Sequence, residues 1–394
     1  MPGPVLFRPP RRVRRGAALT LVFTSLFVAG AATGSFPDPQ TAAQRGTARS
    51  GPSATGSASA ARRQDVVDEA LRAQADGKSP EEAAARAVSR SGDRWGAVYS
   101  AAEYAEFEDA LDGTYTGVGL WARRERDGSV RVTRVGAGSP AAAAGIRTGD
   151  VLRSVDGHPV KGMPVTEVVS LLRGDDLAAP AGTAVRLGLA RGHRHWSPTL
   201  RRARLSTDSV TARTLSDGVT VVAVTAFTKG SGDAVRDAVR GAPAGRGVIL
   251  DLRGNSGGLV DEAVTTASVF LDGGLVATYD VDGAQHALHA RTGGASARPV
   301  VALVDGGTMS AAELLTGALQ DRGRAVVVGS RTFGKGSVQM PSTLPDGSVA
   351  ELTVGHYRTP SGRPVDGRGI TPDLDAGSDA VARAETVLSG LAAS

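Results

Sequence analysis

The 394-residue chain contains no cysteine. Disulfides, thiolate metal sites, a catalytic thiol and a lipidated cysteine are therefore all excluded. Aromatic residues make up only 4% of the chain, and apolar runs long enough to matter to a membrane are confined to one stretch near the start. Together with 41% apolar and 22% charged residues, this excludes collagenous, wholly disordered and polytopic membrane classes. Acidic residues are almost missing from the first 63 positions, which carry nine arginines against the single Asp38. The formal net charge of +5 thus hides a surplus of eight in that segment and a deficit of three elsewhere. A basic surface on the folded part is not needed to explain the charge, and no nucleic-acid partner is expected.

What is present near the start is an export pattern. Five arginines between Arg8 and Arg15 precede the uncharged stretch 17–34, which ends in small residues. A charged segment before an apolar run orients positive side in, and 18 residues is the lower limit for a spanning helix. Residues 1–34 therefore read as either a cleaved signal peptide or a retained anchor. Residues 35–63 read as a disordered linker of low complexity, and the folded part is expected outside the cytoplasm. Residues 64–112 read as a helical lead-in, with Lys78-Ser79-Pro80 breaking one helix and starting another.

Two patterns follow. From 113 to 195, short β-branched runs at Val130–Val135, Val151–Val155 and Ala184–Ala190 alternate with glycine turns, and one helix is predicted over Val165–Leu172. From 196 to 378, strands at 219–224, 247–252, 300–304 and 325–328 alternate with helices at 232–239, 259–270 and 310–319. That alternation predicts an α/β sheet covered by helices, with ligand chemistry at the strand C-terminal ends. Residues 379–394 are left as a terminal helix or tail.

Three glycine-containing stretches fall at those strand ends: 251–258 (DLRGNSGG), 305–313 (DGGTMSAAE) and 329–339 (GSRTFGKGSVQ). Ser310 would begin a helix directly after a strand, where backbone N–H groups face incoming negative charge. Lys335 lies between two glycines that would permit its burial, the condition for a lysine to serve as a base. Gln339, four residues on, could hold the amine by a hydrogen bond. Taken singly, Ser310 is an N-cap with Glu313 completing a capping box, Lys335 a solvated turn residue and Gln339 a solvent-facing strand residue.

In combination these stretches resemble those of the C-terminal processing peptidases, tail-specific serine proteases with a Ser-Lys dyad and a PDZ domain. The family's Gly-Ser-Ala-Ser-Ala-Ser-Glu run is matched by residues 307–313, and its Thr-Phe-Gly-Lys-Gly run by residues 332–336. The resemblance implies Ser310 as nucleophile, Lys335 as base 25 residues later, and Gln339 beside it. It further implies that Gly258 and Ala311 supply the oxyanion-hole N–H groups, and it extends over roughly residues 93–373, including the run 357–373. Thr308, Met309 and Ala312 depart from the family's nucleophile run, and the segment 173–183 is longer than usual. The β-rich stretch resembles a PDZ domain, with Gly117, Val118, Gly119 and Leu120 as the implied loop for a peptide's terminal carboxylate. Residues 139–146 and 149–152 would form its framework.

The expectation is thus an α/β protease core, a mixed sheet with covering helices, joined to a β-rich PDZ-like domain and a small helical N-terminal segment. It would be a serine endopeptidase acting on proteins or peptides with free apolar C-termini. No cofactor and no metal are expected, and an activating adaptor is left open. Rival readings are a nucleotide site at 329–335, whose eighth position is Gly336 instead of Ser or Thr, and a metal pair at His286 and His289 in helical spacing. A non-catalytic peptide-binding protein on a protease-like fold is the alternative from another class.

Overall fold

The computed structural model describes residues 54–173, 179–281, 283–295, 297–377 and 379–392. The expected signal or anchor at 1–34 lies outside the described residues, as does most of the linker expected at 35–63. The end of that linker is a correction: 54–63 forms the first turns of the helix Ala54–Ala75. That helix packs Val66 and Ala70 with Ala84 and Val88 of the helix Pro80–Ser91, on Leu344, Ala350 and Leu352. The apolar face beneath them supplies the partner that the low-complexity composition did not reveal. Among the described residues no helix is long and apolar enough to cross a membrane.

The chain forms two compact units. The smaller comprises 118–173 and 184–201, and the larger contains 54–117 and 202–392 among the described residues. The boundaries expected at 113 and 195 therefore both shift toward the C-terminus, to 118 and 201. Thr114–Gly117 pairs with Ala203–Ser206 in the larger unit, while Thr199–Arg201 pairs with Ala184–Arg186 in the smaller.

The smaller unit is a seven-stranded antiparallel sheet with the helices Pro140–Ala143 and Val165–Leu172. Strands at Val130–Val135 and Val151–Val155 occupy the positions that the β-branched runs predict. Alternate side chains, among them Val130, Val132, Leu187 and Leu189, fill one core with Val168 and Leu172 of the second helix.

In the larger unit a six-stranded sheet runs Val210–Thr214, Thr220–Val224, Val248–Asp251, Val300–Val304, Val326–Gly329, Leu374–Asp375. Only the first pair is antiparallel. Its four inner strands, from Thr220–Val224 to Val326–Gly329, are mostly apolar because both faces are covered. Val222, Leu250, Ala302 and Val327 meet the core beneath Ser231–Gly241, Val260–Phe270 and Ala311–Asp321. Val221, Ile249, Val301 and Val328 face the helix Ala380–Ala392 through Ala384 and Leu388. A second, antiparallel sheet combines Ala97–Tyr99, Leu275–Val281, Ala284–His289, Ser337–Thr343 and Val349–Arg358. The parallel strands deliver three loops to one edge of the first sheet, and the second sheet takes up the chain immediately after Lys335.

Candidate active site

The three stretches singled out in the sequence meet at the C-terminal ends of the parallel strands. Asn255, fully buried, donates its side-chain amide to Val224 O at 2.9 Å and accepts from Gly257 N at 2.8 Å. Its own carbonyl accepts from Met309 N at 2.8 Å, tying the first stretch to the second. Asp305 accepts from Gly254 N and Gly307 N at 2.8 and 2.9 Å. Thr308, one of the departures from the family run, is buried and donates its hydroxyl to Leu252 O at 2.9 Å. The third stretch joins through Phe333 N, which donates to Thr308 O at 3.0 Å.

Ser310 sits at this junction with φ +55° and ψ −119°, at the N-terminus of the helix Ala311–Asp321. Among the described residues only Asp156 is another non-glycine with positive φ. Such a backbone costs on the order of 1–3 kcal/mol, and here the packing that imposes it can be named. A Cβ on Gly257 would come within 2.9 Å of Ser310 Cβ and 3.2 Å of Ala311 N, so the glycine lets two backbones touch where Ser310 turns. Gly258, at φ +128°, lies against Phe227, whose carbonyl accepts from Leu259 N at 2.8 Å. Among the described residues no hydrogen bond engages the backbone N–H of Gly258 or of Ala311. Both expected oxyanion donors are thus without an acceptor, and Ala311 directly follows Ser310.

Lys335 is fully buried, and its Nζ has no hydrogen-bond partner among the described residues. Burial pulls its pKa from the usual lysine value down to about 8, against the opposing charges of Glu351, Asp93, Asp366 and Glu313. The ordinary reading of a solvated turn lysine is thereby removed. Gln339 is also buried, not solvent-facing, but its amide donates to Ser337 Oγ at 2.7 Å and its Oε1 has no partner. No hydrogen bond joins it to the Lys335 amine.

Glu313, read in the sequence only as a capping partner, is the residue whose importance was missed. Fully buried, it accepts from Ser310 N at 2.9 Å, Gly334 N at 2.7 Å, Lys335 N at 2.8 Å and the Thr332 hydroxyl. Burial pushes its carboxyl pKa up, while the hydrogen bonds from Thr332, Gly334, Lys335 and Ser310 oppose that shift. The Tyr357 hydroxyl makes a second bridge, reaching Ser310 O at 2.9 Å and Lys335 O at 3.1 Å. An acidic residue inside the otherwise uncharged run 311–319 was the available signal, because an isolated buried carboxylate needs donors.

The rivals fare less well. The glycine-lysine run 329–335 leads into the strand Ser337–Thr343 and not into a helix, so it lacks the helix N-terminus that a phosphate-binding loop requires. His286 and His289 lie on the strand Ala284–His289, where residues three apart point to opposite faces, so the helical spacing does not exist.

In the smaller unit, the carbonyls of Val118 and Gly119 accept from Ala141 N and Gly136 N, each at 2.9 Å. Ser139 caps the helix Pro140–Ala143 and also donates to Gly119 O at 3.3 Å. Among the described residues the N–H groups of Val118 and Gly119 have no acceptor. The side chain of Val118 is turned into the core at 2% exposure, whereas Leu120 is only partly buried. Gly117 ends the strand Thr114–Gly117 of the larger unit, and part of the long segment 173–183 lies outside the described residues.

The chain is also similar to known proteins. Residues 218–376 match the profile of peptidase family S41, and residues 131–191 that of a PDZ domain. The carboxy-terminal processing protease CtpA of Bacillus subtilis is 33% identical over 278 residues, covering 68% of this chain and 58% of that protein. A protein of Staphylococcus aureus named "Probable CtpA-like serine protease" is 35% identical over 275 residues, covering 68% of this chain and 54% of its own length. The chain thus spans a little over half the length of these curated relatives. Among solved structures, the photosystem II D1 C-terminal processing protease shares 30% identity with a TM-score of 0.48, over 76% of this chain and 82% of that one. An S41 protease from Bacteroides fragilis shares the fold at 18% identity and a TM-score of 0.51, over 80% of this chain and 91% of that one.

Proposed function

This chain belongs to peptidase family S41, and from that premise we propose that it is a serine endopeptidase that cleaves protein or peptide substrates through Ser310 and Lys335. The observation that carries the reading is the buried Lys335 amine, without a partner and with its pKa drawn toward neutrality, fixed to the same carboxylate as the strained Ser310. Neutral Lys335 takes the Ser310 hydroxyl proton as the oxygen attacks the scissile carbonyl carbon. The negative charge that develops on the carbonyl oxygen is received by the N–H groups of Gly258 and Ala311. The proton passes from Lys335 to the leaving amine, and water then releases the acyl group by the same steps in reverse order. Gln339 lies four residues beyond the base, on the strand Ser337–Thr343.

The PDZ domain is the second part of the proposal. It receives the free, apolar C-terminus of a substrate on the backbone of Val118, Gly119 and Leu120, which supports cleavage of tails over internal sequences. The enzyme acts outside the cytoplasm, secreted or held at the outer face of the membrane by residues 1–34, as the arginine-rich start and the apolar run support. Any activating adaptor would be a further partner.

The deciding experiment is peptide cleavage by the folded chain alongside Ser310→Ala. Turnover by the parent, none by the variant, and retained peptide binding by both are expected. Binding without turnover in the parent would instead mark a non-catalytic peptide-binding protein.

A further inference from the structure

Trp95 stands at the base in a way that neither the motifs nor the family match assigns. Its ring centroid lies 5.4 Å from Lys335 Nζ and 5.8 Å from the ring of Phe333. The ring is held from both ends. On one side Asp93 Oδ1 accepts from Trp95 N and Gly96 N at 3.1 and 3.0 Å. The same carboxylate accepts from Thr353 N and Thr353 Oγ1, both at 2.7 Å, which pins the segment to the strand Val349–Arg358. On the other side the indole N–H donates to Asp366 Oδ1 at 3.3 Å, an oxygen that also accepts from Gly336 N at 3.2 Å. Trp95 is partly exposed while Lys335 is not exposed at all.

Resting on the reading of Lys335 as the base, we propose that Trp95 is its positioning residue: the clamped indole is the cover that keeps water from the Lys335 amine and thereby favours its neutral, proton-accepting form. The surroundings make such a cover necessary. Glu351 from the second sheet, Asp93 and Asp366 from the flanking loops and Glu313 from the nucleophile's helix all favour the ammonium. His356 lies 3.8 Å from Asp366, and the Arg94 guanidinium lies 4.6 Å from the Trp95 centroid on the ring's own segment. Only exclusion of water works against those four carboxylates. The indole face also attracts an ammonium, but the net shift at Lys335 is downward, with burial its largest cause. Removing the ring admits water and surrenders that larger effect.

The test uses the folded chain with peptide substrate. Trp95→Ala should move the alkaline rise of kcat/KM upward by about one pH unit, a tenfold loss near neutrality that is recovered at higher pH. Trp95→Phe, which keeps an aromatic cover, should stay close to the parent. A second readout does not need turnover. The chain has three tryptophans, so Trp121→Phe with Trp196→Phe leaves Trp95 as the sole indole, excited at wavelengths that tyrosine does not absorb. Its emission should titrate with a midpoint near about 8, and Lys335→Met should abolish that transition. An unmoved profile in Trp95→Ala, an equal loss at every pH, or no emission transition would overturn the role of Trp95 while an inactive Lys335→Met left the base assignment standing. Turnover by Lys335→Met would overturn the base itself, and with it the purpose of the cover.

Discussion

Ser310 and Lys335 donate their backbone N–H groups to one and the same oxygen, Oε2 of Glu313, at 2.9 and 2.8 Å. The two residues come from loops after different strands, and the shared acceptor fixes their spacing more tightly than either loop could. The other oxygen of Glu313 takes Gly334 N and the Thr332 hydroxyl, so the whole turn before the base hangs on one carboxylate.

Glu313→Ala would leave three buried backbone N–H groups without an acceptor, each costing about 1–3 kcal/mol. A large fall in melting temperature and loss of turnover are expected. Glu313→Gln is the sharper variant because it keeps the shape but turns an amide donor toward donors. It should stay folded, lose at least about 2 kcal/mol and drop kcat well below that of the parent. Thermal unfolding and steady-state kinetics on the same preparation check both effects.

For the base, the sign of the pH dependence follows from the lowered pKa. With a folded-state value of about 8, roughly one-tenth of the amine is neutral at pH 7, so kcat/KM should climb through pH 8 and level off above it. Lys335→Arg should be as inactive as Lys335→Ala, since guanidinium stays protonated. The folded pKa lies below the unfolded one, so the unfolded chain binds more protons between those two values and stability rises with pH across that window. Below about 8 the cost of burying the amine is fully present. Lys335→Met should therefore raise the melting temperature at pH 7 more than at pH 10, while abolishing turnover.

Gly258 gives a prediction at the oxyanion site. A Cβ there would stand 2.3 Å from Phe227 O, a contact no side chain sustains, and the φ of +128° adds strain. Gly258→Ala should displace the donor N–H and lower kcat by about 3 kcal/mol of transition-state stabilisation, leaving KM within a few-fold. A raised KM with unchanged kcat would move the oxyanion site elsewhere.

The parallel sheet was legible in the sequence because its strands are buried on both faces. Val300–Val304 is apolar at every position and was placed to the residue. The second sheet was not. Leu275–Val281 and Ser337–Thr343 mix polar and apolar residues without alternation, so the turn signals Asp282-Gly283 and Pro345-Asp346-Gly347 beside them had no strand pattern to join. The helix Ala101–Leu111 falls inside the stretch 64–112 read as helical, and Ser100 and Glu103 form its capping box. At the site, motif residues could be named in sequence, yet what Glu313 and Trp95 do could not. Their roles depend on which loops the two sheets bring together, and a single chain of letters does not display that.

The last prediction concerns the choice of substrate. Peptides ending in Ala, Val or Leu with a free carboxylate should be cut at least about tenfold faster than amidated copies, because backbone donors can neutralise only a terminal charge placed at the loop. The N–H groups of Val118 and Gly119 lack acceptors, which fits that task, while the Val118 side chain belongs to the core. The two apolar loop residues should therefore separate. Val118→Ala should cost stability by about 1–2 kcal/mol and leave the preference intact. Leu120→Glu, at a partly exposed position beside the donors, should repel the terminal carboxylate and raise KM for free peptides without altering that for amidated ones. Equal cleavage of free and amidated peptides by the parent would show that this loop does not read the C-terminus, and the enzyme would then be an endopeptidase whose selectivity lies in the residues around Ser310.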